Sequence, residues 1–499
     1  MRGAGQRFQK SCILYTRLSR RASASVVLRG KGTDMRSHNS CPQYPPFRRH
    51  RLAVAGLAAL ALCVLAGYRS PAFAAEQLPK SILQEYKKCF SASSCTSCHD
   101  RIGAQHSKTF HAQSFSDPLF RGQYFKELLP AAEKDPELYR EAERCMACHS
   151  PVDHLVVGGR IVSEDQINPD WSGVGCAFCH SIVGYDGEMP GNGNYISKPS
   201  RECVYGPFVE KTGWHHYYSE LHTKSEFCAI CHNGVNRHGL EIKSTFTEWK
   251  NSPYAKRNIQ CQDCHMNAIG FLPEGKPVYE EGCAANPSLD FCQAPDRPRI
   301  YSHRFPGAHS RSQILGSGDI TLRMETEKPF VSPGDELKIH VYVNNLRAGH
   351  KMPSGSADLR QIWLELDAYD GAERIPIPAS SKEADPYDVT GRGPSDDEVI
   401  GEDIPKGTRI YRAILIDRGN RQTLSSYNAV KILFDNRLNA AEIRKETYFF
   451  RVPDTVKGGI TLKASLNYLP YPSAFSRQFG LPKQETYPFA STSIEMPLK

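Results

Sequence analysis

Cys95-Thr96-Ser97-Cys98-His99 opens a series that the chain repeats as Cys145-Met146-Ala147-Cys148-His149, Cys176-Ala177-Phe178-Cys179-His180, Cys228-Ala229-Ile230-Cys231-His232 and Cys261-Gln262-Asp263-Cys264-His265. Each is C-x-x-C-H, the attachment pattern of c-type haem. Two thiols separated by two residues reach the two vinyl groups of one porphyrin as thioethers. The His that follows lies under the ring and binds iron from the proximal side. Zinc favours bare C-x-x-C pairs and gives no reason for a His after all five. The motifs therefore predict five covalently bound haem c groups.

The motif starts lie 50, 31, 52 and 33 residues apart. This long-short rhythm predicts two dihaem units, Cys145/Cys176 and Cys228/Cys261, behind a leading haem. So dense a series cannot build a large side-chain core, and the porphyrins supply much of the buried apolar surface, wrapped by short helices and loops.

The rest of the 499-residue chain fits this reading. It carries 17 Cys and 18 His, a pairing that points to cofactor chemistry before a disulfide scaffold. Its net charge of +8 belongs to the leader: residues 1–75 hold 13 Lys/Arg and one acid, Asp34, leaving 49 bases against 53 acids beyond. The body thus offers no electrostatic case for nucleic acid. Arg48, Arg49 and Arg51 precede the 17 apolar residues Leu52–Tyr68, and Ala72-Phe73-Ala74 follows as a small-x-small cleavage site. This is the order of a secretory signal peptide. The alternative is an uncleaved anchor, in which case membrane contact runs through this segment alone. Met35 begins a leader of ordinary length, so residues 1–34 read as an over-called start. The predicted location is the periplasm or the cell surface.

Four cysteines remain after the leader and the motifs: Cys89, Cys203, Cys283 and Cys292. In an oxidising compartment an even number predicts disulfides. Cys283 and Cys292 bracket a short loop and form the local candidate, leaving Cys89 with Cys203; a reactive thiol is the alternative.

From about Ile320, Cys disappears and alternating segments take over: Ile320–Glu325, Glu336–Asn344, Ile362–Ala368, Arg409–Asp417 and Ile460–Tyr468. Pro, Gly, Asn and Asp separate them, which predicts an antiparallel β-sandwich. In Leu337–Val343 the apolar residues share one face and put His340 outward with Lys338 and Tyr342. The fold class is therefore α+β. The expected division is a leader over 1–75, a pentahaem domain over 76–315 and a β-sandwich over 316–499.

Sixteen His follow Ala75, and eleven remain once the five proximal ones are set aside. Here the chain resembles the multihaem cytochromes similar to cytochrome c554. The stretch His106-Ser107-Lys108-Thr109-Phe110-His111, followed by Asp117-Pro118, resembles that family's W-x-x-S-x-H segment, with His at 106 and Thr at 109. The resemblance implies His111 as a distal ligand, with His106 a rival. Ser225-Glu226-Phe227 and Glu248-Trp249 resemble its later haem segments. His215, His216 and His222 lie where it often places a distal His, and His216 and His222 are favoured. Ser302-His303-Arg304-Phe305-Pro306-Gly307 resembles S-H-x-F-x-G and implies His303. Gly349-His350-Lys351-Met352-Pro353-Ser354-Gly355 resembles G-H-x-x-P-x-G and implies His350, with His309 in reserve. The resemblance spans Cys95 to Tyr468. The predicted iron ligands are thus His99, His149, His180, His232 and His265 on one side and His111, His216, His222, His303 and His350 on the other.

Distal candidates outnumber the irons, which favours closed bis-His sites and a relay of electrons between redox partners. Such partners are other cytochromes, quinol-oxidising membrane complexes or an outer-membrane conduit. The alternative is an oxidoreductase acting on a small nitrogen or sulfur species at one iron with an open distal site. The absence of a C-x-x-C-K motif argues against the chemistry of pentahaem nitrite reductases alone. A second alternative is a subunit of an extracellular cytochrome filament. The motif count makes one prediction directly: a haem assay on the purified protein should return five haems per chain, and Cys→Ser at both cysteines of one motif should lower it to four.

Overall fold

The computed structural model describes residues 92–200, 204–209, 216–269, 276–289, 294–305, 320–380 and 385–499. The leader, Cys89, Cys203, Cys292, His215 and His309 lie outside the described residues, and of His216 only the backbone is described. All the described residues belong to one compact unit, 68–499. The fold is α+β, with its helices mainly in the motif-bearing half and its larger sheets in the C-terminal half.

In the first half the helices are short because each motif sets its own turn. They are Ala92–Thr96, Asp100–His106, Leu138–His149, Cys176–Cys179, Ser225–His232, Thr245–Lys250 and Cys261–His265, among others. The longest, with 12 residues, is amphipathic: Leu138, Ala142 and Met146 fall on one face and are buried. They pack with Phe115, Phe120, Tyr124 and Leu128 into a small core. Asp117 caps the helix Pro118–Gln123, its side chain accepting from Leu119 N at 3.2 Å with Pro118 at the first position. Two helices carrying motifs are tied together at their starts. Gln260 Oε1 accepts from Ser225 N at 2.9 Å, and Ser225 Oγ accepts from Cys261 N at 3.0 Å.

The second half contains strands β1 (Ile320–Thr326), β2 (Glu336–Asn345), β3 (Gln361–Asp370), β4 (Glu373–Pro376), β5 (Arg409–Tyr411), β6 (Ala413–Ile416), β7 (Gln422–Thr423), β8 (Lys431–Asp435), β9 (Glu442–Arg451), β10 (Ile460–Leu469) and β11 (Tyr487–Met496). One antiparallel sheet runs β9-β2-β1, and a second runs β4-β3-β10-β11 with β5 also on β3. A small third sheet is β7-β6-β8. Leu337, Ile339, Val341 and Val343 are buried while His340 is half-buried, its Nδ1 3.1 Å from Thr447 Oγ1. The period of two therefore turns one face of β2 inward. Ile339, Val341 and Val343 share a single apolar cluster with Ile362, Leu364 and Leu366 of β3 and Leu462, Ala464 and Leu466 of β10. Some buried charges are paired, as with Arg412 and Asp396 at 2.8 Å.

Cys283, at the end of the strand Glu280–Cys283, is a free thiol, and its Sγ donates to Ala294 O at 3.3 Å. The expected Cys283/Cys292 bridge is corrected by this contact, and the elimination that paired Cys89 with Cys203 falls with it.

Leu364 is fully buried in the shared cluster. Leu364→Ala should cost about 2–5 kcal/mol in denaturant unfolding of the haem-loaded protein. Burial pushes the Asp358 carboxyl up to about 6 from its ordinary 3.8, against the pull of Arg360 and Arg437. A folded-state value above the unfolded one penalises the charged form. Stability should therefore fall as pH rises from about 4 to about 6. Asp358→Asn should remove that slope and gain roughly 2–3 kcal/mol at pH 7.

Candidate haem-binding site

Within each motif the two Cys and the His stand at i, i+3 and i+4, which a helical turn brings to one face. The turn is closed by the motif itself: His99 N donates to Cys95 O at 2.9 Å, and His180 N to Cys176 O at 3.0 Å. All fifteen motif residues line one continuous cavity of about 1210 Å³, beyond the usual span of roughly 300–1,000 Å³ for a single small-molecule pocket.

The motifs are neighbours in space. The Cys148 thiol lies within hydrogen-bonding reach of Cys231, and that of Cys228 within reach of Cys261. The fourth motif therefore touches the second and the fifth. The helix of the first motif packs on that of the third, and Cys179 of the third lies near Cys228 and Cys231 of the fourth. The expected Cys228/Cys261 juxtaposition is present. For the second motif the sulfur neighbour is Cys231, which corrects the expected Cys145/Cys176 unit. The cause is tertiary: Gly193, at φ +72°, leads its loop against Ala147 and donates its N–H to Ile230 O at 2.8 Å, drawing the second and fourth motifs together. A Cβ at Gly193 would lie 2.8 Å from that of Ala147.

The imidazoles are oriented by backbone carbonyls. Nδ1 of His99 meets Ala284 O at 2.9 Å, Nδ1 of His149 meets Ser114 O at 2.9 Å, and Nδ1 of His180 meets Tyr205 O at 2.6 Å. Nδ1 of His303 meets Tyr301 O at 2.9 Å, and Nδ1 of His350 meets Lys351 O at 2.9 Å. A carbonyl takes the Nδ1 proton and leaves Nε2 as the electron-pair donor, the arrangement metal-bound histidines adopt. Burial holds His111, His149 and His303 down to about 3 and His232 and His265 to about 4. These five rings are therefore neutral at physiological pH, as ligation requires.

Opposed rings are spaced for an ion between them. An imidazole nitrogen sits about 2.0–2.1 Å from a bound metal, so two rings on opposite sides have centres roughly 6.3 Å apart. His111 and His232 are 5.9 Å apart with planes at 86°, and His265 and His350 are 6.4 Å apart at 10°. His180 has two facing rings, His303 at 6.3 Å and His222 at 5.7 Å. His303 keeps Nε2 available, whereas Nε2 of His222 lies 3.2 Å from Cys179 O, on the backbone of the motif itself. Both His106 and His111 line the cavity, but His106 points Nε2 at Val174 O at 2.9 Å, whereas His111 faces His232. His154 hydrogen-bonds Gly159 O locally. Among the described residues no histidine faces His149 at this spacing. Phe120 stacks on it, with centroids 3.9 Å apart and planes at 5°. The residues of the second to fifth motifs thus fit haem c.

The first motif carries one competing bond. Cys98 is disulfide-bonded. A sulfur in a disulfide cannot also be a thioether. Sequence reasoning missed the anchoring carbonyls, which have no side-chain signal. It also missed Phe120 and Lys243, which line the cavity without belonging to any motif.

Residues 94–181, which hold the first three motifs, match the family Cytochrome c554 and c-prime. A penta-heme cytochrome c552 from Thermochromatium tepidum shares the fold. The alignment covers 82% of this chain and 99% of that one at 19% identity, with a TM-score of 0.56. Spo0M, a sporulation control protein from Bacillus subtilis, aligns over 36% of this chain and 50% of that one at 10% identity, with a TM-score of 0.15 that carries no argument. No curated protein matches this sequence. The family match is confined to the stretch with the first three motifs, and the structural likeness shows the fold alone.

With iron bound between His180 and His303, His303→Ala would empty one axial position and should convert one low-spin iron to high spin. His222→Ala should leave that iron low-spin. Electron paramagnetic resonance of the two variants checks the assignment.

Proposed function

We propose that the protein relays electrons between redox partners through haems c held at its five motifs, at least three of them between pairs of histidines. The observation that carries this reading is the 5.9–6.4 Å spacing of His111/His232, His265/His350 and His180/His303 across one shared cavity. Haem c supplies one-electron iron chemistry, at potentials lowered when both axial ligands are imidazole. The chain's own part is to hold neutral Nε2 donors, exclude water and bring neighbouring motifs into sulfur contact. That contiguity supports transfer from group to group across the unit. The two main sheets over one apolar cluster are read as a β-sandwich. The basic, apolar, small-residue order of the leader supports export to the periplasm or cell surface. The donor and acceptor are proposed to be other cytochromes or a quinol-oxidising membrane complex. Among the described residues no helix is long and apolar enough to cross a membrane.

A second reading rests on His149. With Phe120 against it and no described histidine opposite, the second motif is the natural place for an open iron and for reduction or oxidation of a small nitrogen or sulfur species.

Optical and low-temperature electron paramagnetic resonance spectra of the oxidised protein, beside a haem count, decide between the two. The relay predicts five low-spin irons indifferent to cyanide and nitrite. Perpendicular planes at His111/His232 and near-parallel planes at His265/His350 should give two distinct low-spin signals. A high-spin signal from about one iron in five that responds to these ligands, and that is lost with the second motif, would establish the second reading instead.

A further inference from the structure

His350 sits on a loop of the β-rich half, yet its ring faces His265 of the motif-bearing half. The loop is fastened at the two residues that decide where the ring goes. Lys351 O accepts from His350 Nδ1 at 2.9 Å, and Lys351 N donates to Glu248 Oε2 at 3.1 Å. One residue therefore holds the imidazole through its carbonyl and is itself held through its amide. The same Glu248 oxygen accepts from Ser354 Oγ at 3.3 Å, and Thr245 Oγ1 lies 2.8 Å from that hydroxyl. The other Glu248 oxygen pairs with Arg437 Nη2 at 2.9 Å. Arg437 also donates to Pro353 O at 3.1 Å and pairs with Asp435, which takes Lys351 Nζ at 2.8 Å. Glu248 and Arg437 are only 7% and 5% exposed.

Beneath this lattice the loop lies flat on aromatic rings. A Cβ at Gly349 would come 3.3 Å from Trp249 and 3.5 Å from Tyr254. Glu248 belongs to the helix Thr245–Lys250 and Arg437 follows β8, so the lattice joins the two halves at the imidazole. Its hydrogen bonds converge on Lys351, Pro353 and Ser354 and not on the sheet core. Partners one step behind a ligand fix its orientation and basicity, and a buried carboxylate in such a network is effective only while its guanidinium is present.

We propose that Glu248 is a positioning residue for His350, acting with Arg437 to hold the Gly349–Ser354 loop so that the ring stands opposite His265. This rests on reading His350 as an iron ligand. The test uses the full haem-loaded protein and its Glu248→Ala, Glu248→Gln, Glu248→Leu/Arg437→Met and His350→Ala variants. The readouts are haem count, electron paramagnetic resonance and a spectroscopic redox titration. His350→Ala should move one low-spin iron to high spin, removing the near-parallel signal. Glu248→Ala should weaken or shift that same signal and the midpoint of one haem, leaving the other low-spin signals in place. Glu248→Gln, which keeps an acceptor for Lys351 N, should restore most of it. If Glu248→Ala does not accumulate, the double variant, which leaves no unpaired buried charge, is judged by the same criterion. If His350→Ala alters one iron and the Glu248 variants alter none, the positioning role is wrong while the ligand reading stands. If His350→Ala alters none, the ligand reading itself fails.

Discussion

Two imidazole rings with centres 5.9–6.4 Å apart are too distant to touch. Such a gap collapses unless the surrounding chain holds it open or an ion occupies it. In the proposed arrangement iron does so, and each coordination pair becomes a cross-link between segments far apart in sequence, as between His180 and His303 or His265 and His350. The short helices follow from this. A helix of four or five residues is marginal alone. Cys176–Cys179 and Cys261–His265 need only present one face to a group that supplies the missing apolar contact.

Where a signal is local, the sequence carried it. C-x-x-C-H is complete within five residues, and the alternation Leu337–Val343 needs no partner to be read. The β2 pattern appears in the structure as expected. What was not legible depends on contacts between remote segments. The spacing of the motifs suggested Cys145 with Cys176, but the Gly193 loop sets Cys148 beside Cys231 instead. The Cys283/Cys292 loop looked like a bridge because the two lie nine positions apart, yet Ala294 O takes the thiol. His303 stands in an S-H-x-F-x-G segment and His222 in a cluster with His215 and His216, and both are expected as ligands. Only the carbonyl each nitrogen meets separates them.

The C-terminal half is more than a cover for the cavity. It contributes Met352 and Tyr427 to the cavity wall, and its Ser425 Oγ donates to Glu127 at 2.7 Å in the motif-bearing half. Lys126 Nζ in turn donates to Phe479 O at 2.8 Å. Polar bonds therefore cross between the halves at several places, and the β-rich half is stitched to the wall it completes.

Five histidines take their orientation from main-chain oxygens of Ala284, Ser114, Tyr205, Tyr301 and Lys351. Every amino acid offers a carbonyl, so a substitution at any of these five positions leaves the acceptor in place provided the backbone path is kept. Drift in these side chains is then nearly neutral for the proposed iron ligands, while an insertion or deletion of one residue nearby is not. A fold held at 19% identity over most of the chain is what such indifference to side-chain identity allows. The inheritance that matters here is loop length.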